Sequence, residues 1–209
     1  LAQQLYNTVD SIVVGQYIGD TALAAVGTAG PILNLLLVLF MGIATGASIL
    51  SAQYFGAHDR QHLSRVVGAS ILLTVSSSIL MGFVGFFASP WLMSLVNPPA
   101  DVLDGAVIYL QIIFIGILGS ATYNILAGVL RGLGDSLMPL VSLLVASLLN
   151  IVLDIVFVRD LRMGVAGVAW ATIIAQAISG TMCLVRLCRM QQVVDVNKET
   201  LRPDWSIIG

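Results

Sequence analysis

Charged side chains are scarce in this chain of 209 residues: Asp, Glu, Lys and Arg together make 10% of it. A soluble domain carries about 25%. Aromatic residues make 7%, and cysteine and histidine occur twice each. Two cysteines cannot build a framework of several disulfides. A formal charge of −2, with no basic cluster interleaved with aromatics, gives a nucleic-acid partner no support. No Ser/His/Asp arrangement supports a hydrolase. Apolar residues, in contrast, make 58% of the chain, and mean hydropathy is +0.98. Disorder and collagen are excluded on those figures. A water-soluble fold of this size cannot hide so much apolar surface. The composition predicts an all-α integral membrane protein.

The few charges delimit the spans. No Asp, Glu, Lys, Arg or His occurs in 21–57, 66–100, 105–130, 136–153 or 163–185. Each interval can hold the roughly 20 apolar residues that cross a hydrocarbon core of about 30 Å. Residues 1–19 form a sixth apolar stretch, interrupted by Asp10. The predicted helices are 1–18, 30–54, 66–88, 103–129, 136–158 and 165–188, a six-helix bundle. Continuous apolar runs favour helices over a barrel, whose strands of about 10 residues alternate in polarity. Breakers separate the spans: Gly19-Asp20-Thr21, Gly56 to Arg60, Asn97-Pro98-Pro99, and Gly132-Leu133-Gly134-Asp135. In the last, Asp135 can cap the helix that follows.

Loop charge predicts the orientation. Arg60, Arg65, Arg131, Arg186, Arg189, Lys198 and Arg202 fall on one side, and only Arg159 and Arg162 on the other. That bias places both ends of the segment in the cytoplasm and the bundle in the cytoplasmic membrane. Both ends read as cut. Leu1 already lies inside an apolar stretch, and a new apolar run begins at Trp205 and stops. The expectation is a transmembrane lobe over 1–189, then a linker and the start of a further helix over 190–209.

Asp10 and Asp154 break the charge pattern. An ionised carboxylate at the centre of a span costs at least ~2.5–3.5 kcal/mol on insertion scales, and such a residue normally faces the bundle interior or a watery cavity. Asn150 precedes Asp154 by four positions and shares its helix face. Thr172, from the last span, can add a hydroxyl. These are oxygen-bearing groups suited to a proton or to a hard cation such as Na⁺. A buried polar network that merely joins helices is the other reading. Asn34, Gln111, Tyr123, Asn124 and Gln176 are candidates to line a substrate cavity, and interhelical hydrogen bonding accounts for each equally well. Gln176 lies one turn from Thr172 and faces the same way.

Other features read more simply. Residues 128–135 lack the Gly-Lys-Ser/Thr end of a P-loop and form a tight cytoplasmic turn, in which Arg131 and Asp135 can make a charge pair. Gly42 and Gly46, Gly116 and Gly119 with Ser120, and Gly164 and Gly167 are expected to permit close helix packing. His58 and His62 have no third metal ligand beside them, and Cys183 and Cys188 read as reduced fillers near a cytoplasmic helix end.

The motifs resemble a known family. Leu5-Tyr-Asn-Thr-Val-Asp-Ser-Ile-Val-Val-Gly15 with Ala22-Leu-Ala-Ala-Val-Gly27 is similar to the first helix and following loop of multidrug and toxic compound extrusion (MATE) transporters. Leu130-Arg-Gly-Leu-Gly-Asp-Ser-Leu-Met-Pro139 resembles the turn between their fourth and fifth helices. Asn150-Ile-Val-Leu-Asp154, Met163-Gly-Val-Ala-Gly167 and Ala171-Thr172 continue the likeness. One departure is Arg159-Asp-Leu-Arg162, more charged than the family's outer loop.

The resemblance implies one lobe of a twelve-helix, two-lobe transporter whose lobes rock to alternate access. It implies exchange of H⁺ or Na⁺ for exported organic, often cationic, compounds, with no cofactor beyond the coupling ion. Partners would be the lipid bilayer, a small organic substrate and the C-terminal lobe of the same polypeptide. In one branch of the family the ion site uses an Asp of the first helix, an Asn and an Asp of the fifth and a Thr of the sixth. Asp10, Asn150, Asp154 and Thr172 match those positions. A lipid-linked saccharide flippase of the same architecture is the alternative transporter, disfavoured because no span carries Arg or Lys. A non-transporting membrane scaffold is disfavoured by the paired intramembrane acids.

Overall fold

The structure, a computed structural model, describes residues 15, 16 and 19–190. The 1–18 span apart from residues 15 and 16, with Asp10, and the 190–209 segment beyond Met190 lie outside the described residues. Within them the fold is helical, without strands. The helices are α1 (Asp20–Gly56), α2 (Arg60–Val96), α3 (Ala100–Ile115), α4 (Ile117–Gly132), α5 (Leu137–Asp154) and α6 (Gly164–Arg189). A π-helical segment, Ile155–Asp160, continues α5. Among the described residues four helices are long and apolar enough to cross a membrane, and a fifth span results if α3 and α4, bent by 53°, are taken together.

Two predicted boundaries move outward for local reasons. The second span was expected from residue 30 but begins at Asp20. Ala22, Ala25 and Ala29 are buried at steps of three and four, so this alanine-rich stretch is a helix face rather than a loop. The helix runs through Pro31 without a break. The third span was expected from residue 66 but starts at Arg60, because Asp59 caps it: its Oδ1 accepts the His62 backbone N–H at 3.0 Å. At the other end Asn97 takes a left-handed φ of 51°, and Pro98 and Pro99 cannot continue the helix.

The single 103–129 span is in fact the bent pair α3 and α4, with Gly116 at the break. A Cβ on Gly116 would collide with Ile173 of α6. Removing that carbon lets the bend sit directly against α6. Burial in α4 runs almost without interruption from Ile125 to Leu130, which makes it the centre of the bundle. It packs on α1 through Gly128, where a Cβ would lie 2.5 Å from the Ala44 carbonyl oxygen, and through Gly132, against the Ser48 carbonyl. It packs on α6 through Gly119, whose added Cβ would lie 2.9 Å from the Ala177 nitrogen.

Gly42 and Gly46 do not serve close packing among the described residues. Both face outward on α1, and a Cβ on either meets nothing within 4 Å. Gly164 likewise meets nothing and instead supplies a positive φ of 58° at the start of α6. The expectation for Gly116, Gly119 and Gly167 is met, since each abuts a neighbour closely. The outer faces of the helices carry exposed Leu35, Val38, Phe83, Phe87, Leu137 and Leu148. A lipid solvent, unlike water, accepts such a surface.

Candidate functional site

The site is built on the α5–α6 contact. The buried face of α5 carries Ser142, Ala146, Asn150 and Asp154, one every four residues. The first three turns of α6 bring Thr172 opposite. Asn150 and Asp154 are both fully buried. Asn150 Nδ2 donates to Thr172 Oγ1 at 3.5 Å, and the Thr172 hydroxyl donates to the Val168 carbonyl at 3.0 Å. Three of the four predicted ion-site residues are therefore brought to one place, on two helices. The fourth, Asp10, lies outside the described residues. An acid, an amide and a hydroxyl in an apolar bundle form an acceptor-rich pocket, suited to a proton or a hard cation. Among the described residues no group of three His, Cys, Asp or Glu side chains gathers to hold a metal.

The π-helical segment starts immediately after Asp154. The Leu161 N–H reaches the Val156 carbonyl at 3.0 Å, five residues back. Such single-turn π elements concentrate at functional sites. Sequence periodicity gave no sign of it.

The predicted cavity residues do not form one constellation. Asn34 is exposed on α1. Gln111 Nε2 reaches the Phe86 carbonyl of α2 at 3.5 Å, and Asn124 Nδ2 donates to the Ser120 carbonyl one turn back at 2.8 Å. Tyr123 is buried and its hydroxyl donates to the Pro139 carbonyl of α5 at 3.2 Å. These three knit helices or backbone. Gln176 is different, being buried on the α6 face that carries Thr172.

At the far end of the same helix pair, the turn residue Asp135 does not pair with Arg131. The Gly132–Gly134 turn carries its carboxylate to α6, where Arg186 Nε donates to Oδ2 at 2.7 Å. Its Oδ1 accepts the Met138 backbone N–H at 3.1 Å, capping α5. The Arg186 hydrogen bond holds the Asp135 carboxyl below the usual carboxylate range, against the opposing push of partial burial. Arg186 is the partner that the sequence did not single out. At the α1–α2 turn, His62 donates to Asp59 through its backbone N–H and lies 2.7 Å away through Nδ1, and these contacts lower the Asp59 carboxyl.

The MatE family profile matches residues 1–156, most of the chain. The chain belongs to the MatE family. MatE relatives include the probable multidrug resistance protein YpnP of Bacillus subtilis (strain 168), 36% identical over 85% of this chain and 40% of its own length. Another is the probable multidrug resistance protein NorM of Thermotoga maritima, 24% identical over 98% of this chain and 44% of its own. Among solved MatE structures, MATE in the bent conformation superposes with a TM-score of 0.92 at 27% identity, covering 99% of this chain and 46% of that one. An inward-facing multidrug resistance MATE family transporter of the MOP superfamily gives 0.92 at 28% identity, covering 99% and 47%. The chain thus spans under half the length of these MatE relatives.

Proposed function

We propose that the full-length protein is an ion-coupled antiporter that exports organic, often cationic, compounds across the cytoplasmic membrane by alternating access, and that this chain forms one of its two lobes. It moves its substrate without transforming it. The coupling ion is H⁺ or Na⁺, and its site is Asp10, Asn150, Asp154 and Thr172. The observation that carries this reading is the burial of Asp154 and Asn150 on one face of α5, with Asn150 reaching Thr172 on α6. The MatE relatives that are named probable multidrug resistance proteins support the export of drug-like compounds.

The mechanism follows from where the charge sits. An empty, ionised Asp154 is costly inside the span. Loading a proton or Na⁺ cancels that charge and changes what α5 and α6 prefer to pack against. To drive transport, the ion must bind one lobe arrangement better than the other, because a ligand shifts an equilibrium only by its differential affinity. A cationic substrate loses its anionic partner when the ion loads, and is released outward. The arginines at the turn and at the end of α6 keep that end of the lobe in the cytoplasm.

The test is Asp154→Asn in the full-length protein, reconstituted in proteoliposomes. Export driven by an imposed H⁺ or Na⁺ gradient is expected to be lost while membrane insertion is retained. Unchanged gradient-driven export would remove Asp154 from the coupling site.

A further inference from the structure

The buried face of α2 is lined with hydroxyls. Ser70, Thr74 and Ser89 each donate to the carbonyl four residues back, at 2.8, 2.6 and 2.6 Å. Such a local bond satisfies a hydroxyl inside a lipid-embedded helix. Ser78 breaks the series. It is 2% exposed, and its Oγ has no hydrogen-bond partner. The carbonyl four residues before it belongs to Thr74, which the Ser77 hydroxyl already approaches at 3.3 Å. Ser78 lies 18 residues from either end of α2, about 27 Å at the rise of a helix. At that depth the surrounding lipid is hydrocarbon alone.

Ser78 lines a cavity of about 510 Å³ between α2 and the α3–α4 bend. Two glycines of α2 let the end of α3 come close. A Cβ on Gly82 would lie 2.9 Å from the Phe114 carbonyl oxygen, and one on Gly85 would fall on the Phe114 ring. Just beyond Phe114 the chain turns by 53° at Gly116, so α3 and α4 wall the cavity from different directions. Phe83, Phe86, Phe87 and Phe114 line it beside aliphatic side chains, and no lining residue is charged. Phe87 meets Phe83 at 5.0 Å and Phe86 at 5.4 Å, both edge to face. Phe83 and Phe87 lie open on the outer face of the helix. A volume of this size, an aromatic lining and one polar group are the make-up of a small-molecule site.

The lining discriminates among occupants. A lipid tail fills apolar space but brings no hydrogen-bonding atom to this depth, and leaves Ser78 Oγ as it is. A cation finds no carboxylate here, which sets this cavity apart from the α5–α6 site. An aromatic molecule can pack its ring on the phenylalanine edges and faces. One polar atom on it can meet the Ser78 hydroxyl, which both donates and accepts.

We infer that this cavity is a lipid-accessible binding site for a neutral aromatic molecule bearing one hydroxyl or carbonyl group, held by the phenylalanines and by a hydrogen bond to Ser78. The site is separate from the ion site and does not rest on the ion-coupled reading above.

The experiment uses the full-length protein in lipid nanodiscs, photolabelled with benzophenone, a neutral aromatic ketone, and mapped by peptide mass spectrometry. Labelling within 78–87 and 114–118 is expected to saturate. At equal concentrations in the bilayer, 2-naphthol is expected to compete about tenfold better than naphthalene, the effect of one buried hydrogen bond. Ser78→Ala should abolish that difference and leave competition by naphthalene unchanged. Phe83→Leu, at a position exposed enough to spare the bundle, should weaken both competitors. The inference is overturned if labelling never saturates and matches that of the exposed α5 face over 137–148, as lipid tails alone in the cavity would give. It is equally overturned if the two competitors are equal on the wild type, if Ser78→Ala keeps the tenfold difference, or if Phe83→Leu leaves both competitors unchanged.

Discussion

Asp135 and Arg186 are 51 positions apart in the chain, and Arg186 Nε lies 2.7 Å from Asp135 Oδ2. The pair fastens the α4–α5 turn to the last turn of α6, at the same helix pair whose middle holds Asn150, Asp154 and Thr172. The same carboxylate also caps α5 through the Met138 N–H. One side chain therefore fixes both where α5 starts and how it is held against α6.

Arg186→Gln is expected to lower the stability of the full-length protein modestly. Arg186 is 47% exposed, and an ion pair that open to solvent contributes at most about 1 kcal/mol. The pH dependence has a definite sign. The folded Asp135 carboxyl titrates below its ordinary value, so the pair's contribution is complete above the unfolded value of about 3.9 and is lost as pH falls through the folded one. Thermal melts of wild type and Arg186→Gln should differ by a constant amount from pH 8 to pH 5 and converge only in stronger acid. A difference that changes near neutrality would show that some other group controls this latch.

Gly128→Ala and Gly42→Ala should behave oppositely. The first places a methyl 2.5 Å from the backbone oxygen of Ala44, which cannot swing aside. Over-packing of this kind typically costs about 1–3 kcal/mol, and separation of α1 from α4 should lower the melting temperature clearly. The second adds its methyl where nothing lies within 4 Å, so the lobe's own packing is untouched. Equal melting temperatures for the two variants would contradict the packing described for α1 and α4.

Much of this arrangement could be read from sequence because lipid imposes a plain rule. Spans must be apolar and helical, so the charges of Arg60, Arg131, Asp135 and Arg186 mark their ends. The same rule made Asp154 conspicuous, and Asn150 followed from a four-residue step. What could not be read has a common cause: it depends on which faces meet. The run from Ala22 to Ala29 has the composition of a loop or a helix, and only its burial against neighbouring helices decides. The bend at Gly116 answers to Ile173, a residue 57 positions away. The choice of Arg186 over Arg131 for Asp135 depends on the path of the glycine turn. Gly42 and Gly128 look alike in sequence, and one faces outward while the other meets a backbone.

Tyr123→Phe tests whether that ring belongs to a substrate cavity or to the scaffold. Its hydroxyl spans from α4 to the Pro139 carbonyl of α5 at 3.2 Å. Removing it should cost about 1 kcal/mol, the net worth of one buried hydrogen bond. Export by the full-length protein should keep its apparent substrate affinity, because the ring is buried and its hydroxyl proton is committed to the Pro139 carbonyl. A shift in apparent affinity with an unchanged melting temperature would return Tyr123 to the cavity.

Thr172 separates an ion-site role from a packing role. Its hydroxyl is the acceptor for Asn150 Nδ2 at 3.5 Å and the donor to the Val168 carbonyl at 3.0 Å. Thr172→Val keeps the shape and removes both contacts; Thr172→Ser removes a methyl and keeps both. If the hydroxyl only joined α5 to α6, the two variants would differ in melting temperature and not in ion dependence. If it helps to hold Asn150 toward Asp154, Thr172→Val should raise the concentration of coupling ion needed for half-maximal export by roughly three- to tenfold, the range for one net hydrogen bond. Thr172→Ser should stay near the wild type. The measurement is export by proteoliposomes over a series of imposed ion gradients. Coinciding curves for Val and wild type would reduce the Asn150–Thr172 contact to a helix-joining bond.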